Sequence, residues 1–252
     1  MITQFQIKLC PDRAYTARPE WGYRLYAALL EQTAEPFGSA VHRDGVTPIS
    51  QFLSIGPDAV TWTVNLLGAE SEQSLSALLE EQQTIRLKKD RVCVQIADCR
   101  VDAIRDVEEL FARAAGQDGD HVLRVQTPAA FKSQGEYLNL PTSRLIVQSL
   151  IRKWNGCFPD CPIEDEDGQG MEALAAGLRC RRFELRDRDY HLKGHAIPGF
   201  VGELMVENRL TGFHRELADV LLLFSGYAGI GIKTALGMGG VVHRRVPRKN
   251  DR

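Results

Sequence analysis

The chain has 252 residues, of which 44% are hydrophobic and 25% charged, and its formal net charge at pH 7 is −2. This length suits two small domains or one large one, and the composition is ordinary for a soluble globular protein. The apolar runs fall short of the roughly 20 residues that a membrane-spanning helix needs, and the N-terminus has no basic and hydrophobic signal region. We therefore expect a cytoplasmic protein without a membrane partner.

The charges are distributed unevenly along the chain. Residues 1–115 contain 12 Lys and Arg against 16 Asp and Glu, whereas residues 170–252 contain 14 against 9. An anionic partner would be attracted to this C-terminal third, although an excess of five charges (14 − 9) is also what a solvated surface carries.

The cysteines favour neither a disulfide scaffold nor a metal site. There are six, at positions 10, 93, 99, 157, 161 and 180, and they form no pair of CxxC motifs. We expect buried free thiols. Cys157 and Cys161, with Cys180 and His191, have too loose a spacing for a predicted zinc site, and we predict no cofactor.

The first half of the chain has the element order β-α-β-β-α-β. Residues 5–9 alternate apolar and polar side chains like a strand, and residues 21–37 carry apolar side chains at helical spacing. TWTVNLLG (61–68) is typical of a strand, and Ser71 is a plausible N-cap for the helix SEQSLSALLEEQQ. TIRLKKDRVCVQIADCRV then predicts two strands, so the pattern is ferredoxin-like.

A similar pattern recurs after the polar stretch AGQDGDH (115–121). HVLRVQT predicts a strand, PTSRLIVQSLIRKWN a helix from Pro141, and LRCRRFEL to LMVEN two or three strands. HRELADVLLLFSGYA predicts a helix and GGVVHRR a last strand, whereas EDEDGQG (164–170) is expected to be an exposed loop. We therefore predict an α+β fold of two tandem ferredoxin-like (RRM-like) domains, residues 1–115 and 116–252, with a C-terminal glycine-rich loop.

The segment SGYAGIGIKTALGMGGV (225–241) carries six glycines, which suits a main chain that approaches another surface closely. It is not a P-loop, because Ile232 separates Gly231 from Lys233 and the preceding segment is helical. A dinucleotide fingerprint also fails, because Thr234 stands where the third glycine is required. What remains is a loop whose main-chain N–H groups and one ammonium could contact a polyanion.

Three segments resemble one known family. FSGYAGIGIKTALGMGGV resembles the glycine-rich signature of the CRISPR-associated RAMP superfamily, in particular of its endoribonucleases that process CRISPR precursor RNA. TPAAFKSQGEYLNLPTSRLIVQSLIRKWN resembles the opening of that family's second domain, and HRDGVTPISQFLSI resembles its first-domain segment with a histidine after the first helix. The resemblance spans nearly the whole chain and implies the tandem ferredoxin-like fold that periodicity also predicts.

This resemblance implies metal-independent RNA cleavage. The 2′-hydroxyl attacks the adjacent phosphate and leaves a 2′,3′-cyclic phosphate and a 5′-hydroxyl, which requires a base, an acid and positive charge near the phosphate. His42 falls on the family's motif and is the implied proton-transfer residue. Arg43 or Lys233 could supply the charge.

The identity of the base stays open in the sequence. Some family members have a tyrosine late in the first helix and a lysine shortly after the histidine, whereas here Tyr23 and Tyr26 come a turn or more early and position 48 is Pro. Tyr26 is a candidate for the site and otherwise a core residue. The alternative histidines are His191 and His195. The other three, His121, His214 and His243, are expected at the surface or at a domain boundary.

The resemblance also implies that the glycine-rich loop packs at the domain junction and contacts RNA. The candidate RNA-binding residues are Gly229, Gly231, Lys233, Thr234, Gly237 and Gly239 in this loop, Arg179, Arg181 and Arg182 in the segment LRCRRFEL, and Lys132 in AFKS. Arg244 and Arg245 are weaker candidates. The expected partner is CRISPR repeat RNA, with other CRISPR effector subunits as further candidates.

Two other functions remain open. A noncatalytic RAMP subunit that binds guide RNA is favoured if His42 is buried or remote from the glycine-rich loop. A small-molecule-binding tandem ferredoxin-like protein is favoured if the arginine-rich segment lies on the face opposite that loop.

Overall fold

The computed structural model describes residues 1–11, 16–33, 47–57, 59–88, 91–115 and 119–248. Its first half contains β1 (Ile2–Pro11), α1 (Trp21–Leu30), β2 (Ile49–Ile55), β3 (Val60–Leu67), α2 (Ala69–Glu81), β4 (Thr84–Leu87), β5 (Val92–Ile104) and α3 (Val107–Ala114). The five strands form an antiparallel sheet in the order β2-β3-β1-β5-β4. This is the ferredoxin-like order with β4 added at the edge.

The second half contains β6 (Asp120–Ala129), β7 (Phe131–Ser133), β8 (Glu136–Leu138), α4 (Ser143–Cys157), α5 (Gln169–Gly177), β9 (Leu178–Asp187), β10 (Tyr190–Leu192), β11 (His195–Ile197), β12 (Phe200–Asn208), α6 (Gly212–Ala228) and β13 (Val241–Val246). An antiparallel sheet has the order β13-β6-β12-β9, again ferredoxin-like, while β7-β8 and β10-β11 are separate hairpins. The predicted α+β class with two ferredoxin-like units is confirmed. None of the helices in the described part of the chain has the length and hydropathy that a membrane crossing requires.

Each sheet covers its own apolar core. Phe5 and Ile7 on β1 and Trp62 on β3 are fully buried in the first core, as the alternation in the sequence predicts. In the second core the ring of Trp154 on α4 meets that of Phe224 on α6 edge to face, with centroids 5.5 Å apart.

Helices α3 and α5 are not predicted by the sequence pattern, which placed the boundary between the halves at residue 115. Asp106 caps α3 by accepting a hydrogen bond from the Glu109 main chain at 2.8 Å, and Leu110 and Ala114 on this helix lie in the second core. Helix α5 starts at Gln169, inside the predicted loop. Because α3 packs on the second core, the boundary at 115 stays a proposal.

The thiols are less buried than expected. Cys157 is buried and Cys99 is half-buried, but the remaining four, Cys10, Cys93, Cys161 and Cys180, are exposed. The expectation of buried thiols is therefore wrong for most of them.

The segment between α6 and β13, residues 229–240, lies against the second unit along its main chain. Ile232 N–H donates to the Ala130 carbonyl at 2.9 Å, and Gly239 N–H donates to the Pro128 carbonyl at 2.9 Å. Gly231 N–H donates to Ser149 Oγ on α4, also at 2.9 Å. This glycine-rich segment is therefore held where β6 ends and β7 begins.

The same segment also lies against the first unit. Gln51 on β2 donates through Nε2 to the Ala235 carbonyl at 3.1 Å and accepts a hydrogen bond from Trp62 Nε1 at 2.9 Å. At Gly240 a side chain has no room, because a Cβ would lie 2.2 Å from Cγ of Phe52. The glycine-rich segment thus joins the two units. The surfaces that its main chain approaches closely include both of these units.

His121 is fully buried, whereas the sequence analysis placed it at the surface or at a domain boundary. Its Nε2 hydrogen-bonds to Asp219 Oδ1 and its Nδ1 to His243 Nε2, both at 2.9 Å. Burial lowers the pKa of His121, and burial together with the neighbouring His121 and Arg245 lowers the pKa of His243 to about 3. Burial alone would raise the pKa of Asp219, but hydrogen bonds from His121, Asn208 and Arg245 lower it to about 2. At neutral pH a neutral histidine pair therefore faces an ionised carboxylate.

We predict that Gly231→Ala destabilises the protein more than Gly135→Ala. Both glycines have positive φ (75° and 88°), which costs alanine roughly 1–2 kcal/mol. A Cβ at Gly231 would lie 2.1 Å from the Ala130 carbonyl oxygen, whereas one at Gly135 meets nothing within 4 Å. In urea unfolding, the free energy of unfolding should fall by about 1–3 kcal/mol more for Gly231→Ala than for Gly135→Ala. Equal decreases for the two variants would contradict the close contact at Gly231.

We also predict that the histidine pair destabilises the protein in acid. The pKa values of His121 and His243 are lower in the folded protein than in the unfolded chain. As the pH falls below the ordinary histidine pKa, the unfolded chain therefore binds protons on these residues before the folded protein does. The contribution of the pair to the free energy of unfolding is fully present above about pH 6.5. Below that pH it decreases, by at most about 1.4 kcal/mol per pH unit for each histidine. His243→Gln should reduce this slope between pH 6.5 and 4.5, whereas His214→Gln, at an exposed position, should not; equal slopes would refute the role of the pair.

Candidate functional site

A cleft of about 450 Å³ lies between the two units, bounded by α1, α4, β7 and the glycine-rich segment. The basic residues that line it are Lys132, Arg152, Lys153 and Lys233, and none of its described lining residues is acidic. The whole chain has slightly more acidic than basic residues, 33 against 31. The described lining therefore differs in charge from the chain as a whole, and its cations give this part of the cleft a positive potential.

Lys233 is presented to solvent by the glycine-rich segment. It is the exposed residue of the otherwise buried or half-buried segment 229–240. Its main chain is left-handed, with φ 55°, and its carbonyl accepts hydrogen bonds from the N–H groups of Leu236 at 2.9 Å and Met238 at 3.3 Å. The tight turn therefore orients Lys233 at the cleft. Lys132 reaches the cleft from β7, where it pairs with Tyr137 of β8.

Lys153 is positioned by α4 and by the end of α6. Its Nζ donates to the main-chain carbonyls of Ala228 and Gly229, each at 3.0 Å. Burial lowers the pKa of the ammonium to about 7, and the neighbouring Cys157 thiol opposes this shift only in part. Lys153 therefore lines the cleft with an ammonium group that loses its proton more readily than that of an ordinary lysine.

One face of α4 lines the cleft, and this face includes Arg152 and Lys153, which were not among the site residues predicted from the sequence. Residues 145, 148, 149, 152 and 153 follow helical spacing and line the cleft, while Val147, Leu150 and Trp154 lie in the second core. The polar face of the helix SRLIVQSLIRKWN was the available signal. It marks Arg152 and Lys153 together, but it does not show what faces them.

Tyr26 is placed in the first core and at the edge of the cleft. Its side chain is 4% exposed, and its hydroxyl has no hydrogen-bond partner among the described residues. Burial raises the pKa of the phenol. Tyr26 is therefore protonated at neutral pH and can donate a hydrogen bond, but it is a poor general base.

His42 and Arg43 lie outside the described residues. Thr47, which follows His42 by five positions, lines the cleft. The alternative histidines His191 and His195 are exposed on the hairpin β10-β11 and do not line it.

The glycines predicted to bind RNA are mostly buried against other parts of the protein. Gly229, Gly231, Gly237 and Gly239 are buried, and Thr234 is 9% exposed. A Cβ at Gly237 would lie 2.5 Å from the hydroxyl of Tyr190, which donates to the Leu236 carbonyl. These contacts explain the glycines structurally, and their contact with RNA stays a prediction.

The predicted arginines lie on β9, an edge strand of the second sheet. Arg179 and Arg182 are exposed, and Arg181 pairs with Asp120 at 3.3 Å. None of the three lines the cleft. The weaker candidates are engaged in ion pairs: Arg244 with Glu203 at 3.2 Å and Arg245 with Asp219 at 2.9 Å.

The described residues contain no group of three or more His, Cys, Asp or Glu side chains arranged to hold a metal ion. The described cleft is instead lined by cations and by hydroxyl-bearing side chains such as Tyr26, Ser149 and Thr234. Such a set recognises anions.

Comparisons with known proteins show which proteins the chain resembles. CRISPR-associated endoribonuclease Cas6, as a family, matches residues 123–241. The CRISPR-associated endoribonuclease Cas6 of Streptococcus thermophilus is 26% identical over 219 residues, which cover 86% of this chain and 89% of that protein. The protein of the same name from Mycobacterium tuberculosis is 26% identical over 235 residues, covering 90% and 73%.

A solved Cas6 product complex shares the fold. Its TM-score is 0.75 at 22% sequence identity, and the match covers 97% of this chain and all of the other. The resemblance that the sequence indicated is therefore confirmed: along most of its length the chain is similar to CRISPR-associated endoribonucleases of the Cas6 family.

Proposed function

We propose that the chain binds CRISPR repeat RNA in the inter-domain cleft and cleaves it to generate guide RNAs. The 2′-hydroxyl of the RNA attacks the adjacent phosphate without a metal ion, and the products carry a 2′,3′-cyclic phosphate and a 5′-hydroxyl. The names of the relatives and the product complex of the solved neighbour support an RNA-processing role.

The observation that carries this proposal is the charge of the cleft. Four cations and no described carboxylate line a space between two RRM-like units. Phosphate oxygens are the ligands that such a lining attracts, and RNA presents them in a row. The exposed ammonium groups of Lys132 and Lys233 are the proposed backbone contacts, and Arg179, Arg181 and Arg182 on β9 would contact RNA that extends beyond the cleft.

His42 is the residue that we assign to proton transfer. Its ordinary pKa of about 6.5 suits either direction of transfer at neutral pH. Five residues span at most about 18 Å when fully extended, so the position of Thr47 in the cleft lining allows His42 to reach it. Arg43 and Lys233 would stabilise the charge on the phosphate, and Tyr26, protonated, would donate a hydrogen bond.

We predict that His42→Ala slows cleavage of the repeat RNA from the source organism's own CRISPR array by about 100-fold to 10,000-fold, because a proton-transfer group is lost. Binding of the same RNA should stay within a few-fold of the original. Single-turnover cleavage and filter binding measure the two quantities, and full activity of His42→Ala would move the role to another residue.

The matched substrate control changes one atom of the RNA. A single 2′-deoxy nucleotide at the cleavage position should block cleavage but not binding, whereas the same change two nucleotides away should have little effect. Cleavage should also persist in excess EDTA. Cleavage of the first substrate would refute attack by the 2′-hydroxyl.

A further inference from the structure

The ammonium of Lys153 has more hydrogen-bond donors than the protein uses. Two of its three N–H groups are accounted for by the carbonyls of Ala228 and Gly229, each at 3.0 Å. Neither acceptor carries a full charge, and the described residues supply no carboxylate partner for this lysine within ion-pair distance. One N–H is therefore left over, on a side chain that lines the cleft.

The described lining of the cleft offers Lys153 no anionic partner. Arg152 on α4, Lys132 on β7 and Lys233 on the glycine-rich segment line the same cleft and are all positive, while Tyr26 on α1 is a protonated phenol. The Cys157 thiol, one helical turn further along α4, is kept protonated because burial raises its pKa to about 12. Among the described residues, the charged side chains that line the cleft with Lys153 are thus cations.

Loss of the proton leaves the local structure unchanged. A neutral amine still has two N–H groups, which are enough to keep both hydrogen bonds at the C-terminus of α6. The proton that leaves is therefore the one that the protein does not use. A lysine with an ordinary pKa would hold its proton too tightly to be an effective acid at neutral pH, whereas burial brings the pKa of Lys153 to about 7.

We propose that Lys153 is a catalytic residue that protonates the departing 5′-oxygen during RNA cleavage. This inference rests on the proposed function and assigns its acid. The 2′-oxygen forms a bond to phosphorus while its proton passes to the base, which is then His42. The bond from phosphorus to the 5′-oxygen breaks, its electron pair stays on that oxygen, and the ammonium of Lys153 supplies the proton. The two residues return to their starting forms by proton exchange with water.

The test uses Lys153→Met and a modified RNA. With ordinary repeat RNA, single-turnover cleavage by Lys153→Met should be at least about 100-fold slower than by the original protein, with RNA affinity within a few-fold. When sulfur replaces the 5′-bridging oxygen at the cleavage position, the leaving thiolate needs no acid. The deficit of Lys153→Met should then shrink to less than about tenfold, whereas a merely structural role would leave it unchanged.

Lys153→Arg separates proton transfer from helix capping. Arginine can donate to the carbonyls of Ala228 and Gly229 but does not give up its proton near neutral pH, so this variant should cap α6 and yet cleave ordinary RNA slowly. It should also lack the fall in rate above pH 7 that deprotonation of Lys153 predicts for the original protein. Full activity of Lys153→Arg, or an equal deficit of Lys153→Met on both substrates, would overturn the inference. Failure of the original protein to cleave either RNA would instead overturn the proposed function, and this inference with it.

Discussion

The structure depends on main-chain contact between the glycine-rich segment and the two units on either side of it. At Gly231 the left-handed backbone passes so close to the Ala130 carbonyl that no side chain fits, and at Gly240 the ring of Phe52 occupies the corresponding space. Gln51 adds a hydrogen bond from β2. A segment with ordinary side chains could not lie here, so the relative position of the two sheets requires these glycines.

The cleft follows from this contact. Once residues 229–240 are fixed between the sheets, Lys233 is turned outward and the end of α6 meets Lys153. The glycine-rich segment therefore joins the two units and also presents one cation, Lys233, at the cleft. RNA would meet the exposed ammonium and the walls of the cleft, while the buried glycines hold those walls in place.

The sequence predicted the elements with strong local signals and missed those set by distant contacts. Alternation in β1 and helical spacing in α4 and α6 are properties of neighbouring residues, and both were interpreted correctly. His121 hydrogen-bonds to Asp219, 98 positions later, and Lys153 donates to the carbonyls of Ala228 and Gly229, about 75 positions later. No local pattern contains that information. The family resemblance supplied His42 instead, at a position that lies outside the described residues.

The most direct test of the account is the salt dependence of RNA binding when the exposed cations of the cleft are removed. For the double variant Lys132→Gln, Lys233→Gln, the affinity for repeat RNA should fall, and the slope of log affinity against log salt should decrease by roughly 0.7–0.9 for each lost phosphate contact. Lys88→Gln, Arg100→Gln is the matched control, because it removes two exposed cations that pair on the surface with Glu31 and Asp98 and do not line the cleft. An equal decrease in both double variants would contradict the claim that the cleft binds the RNA backbone.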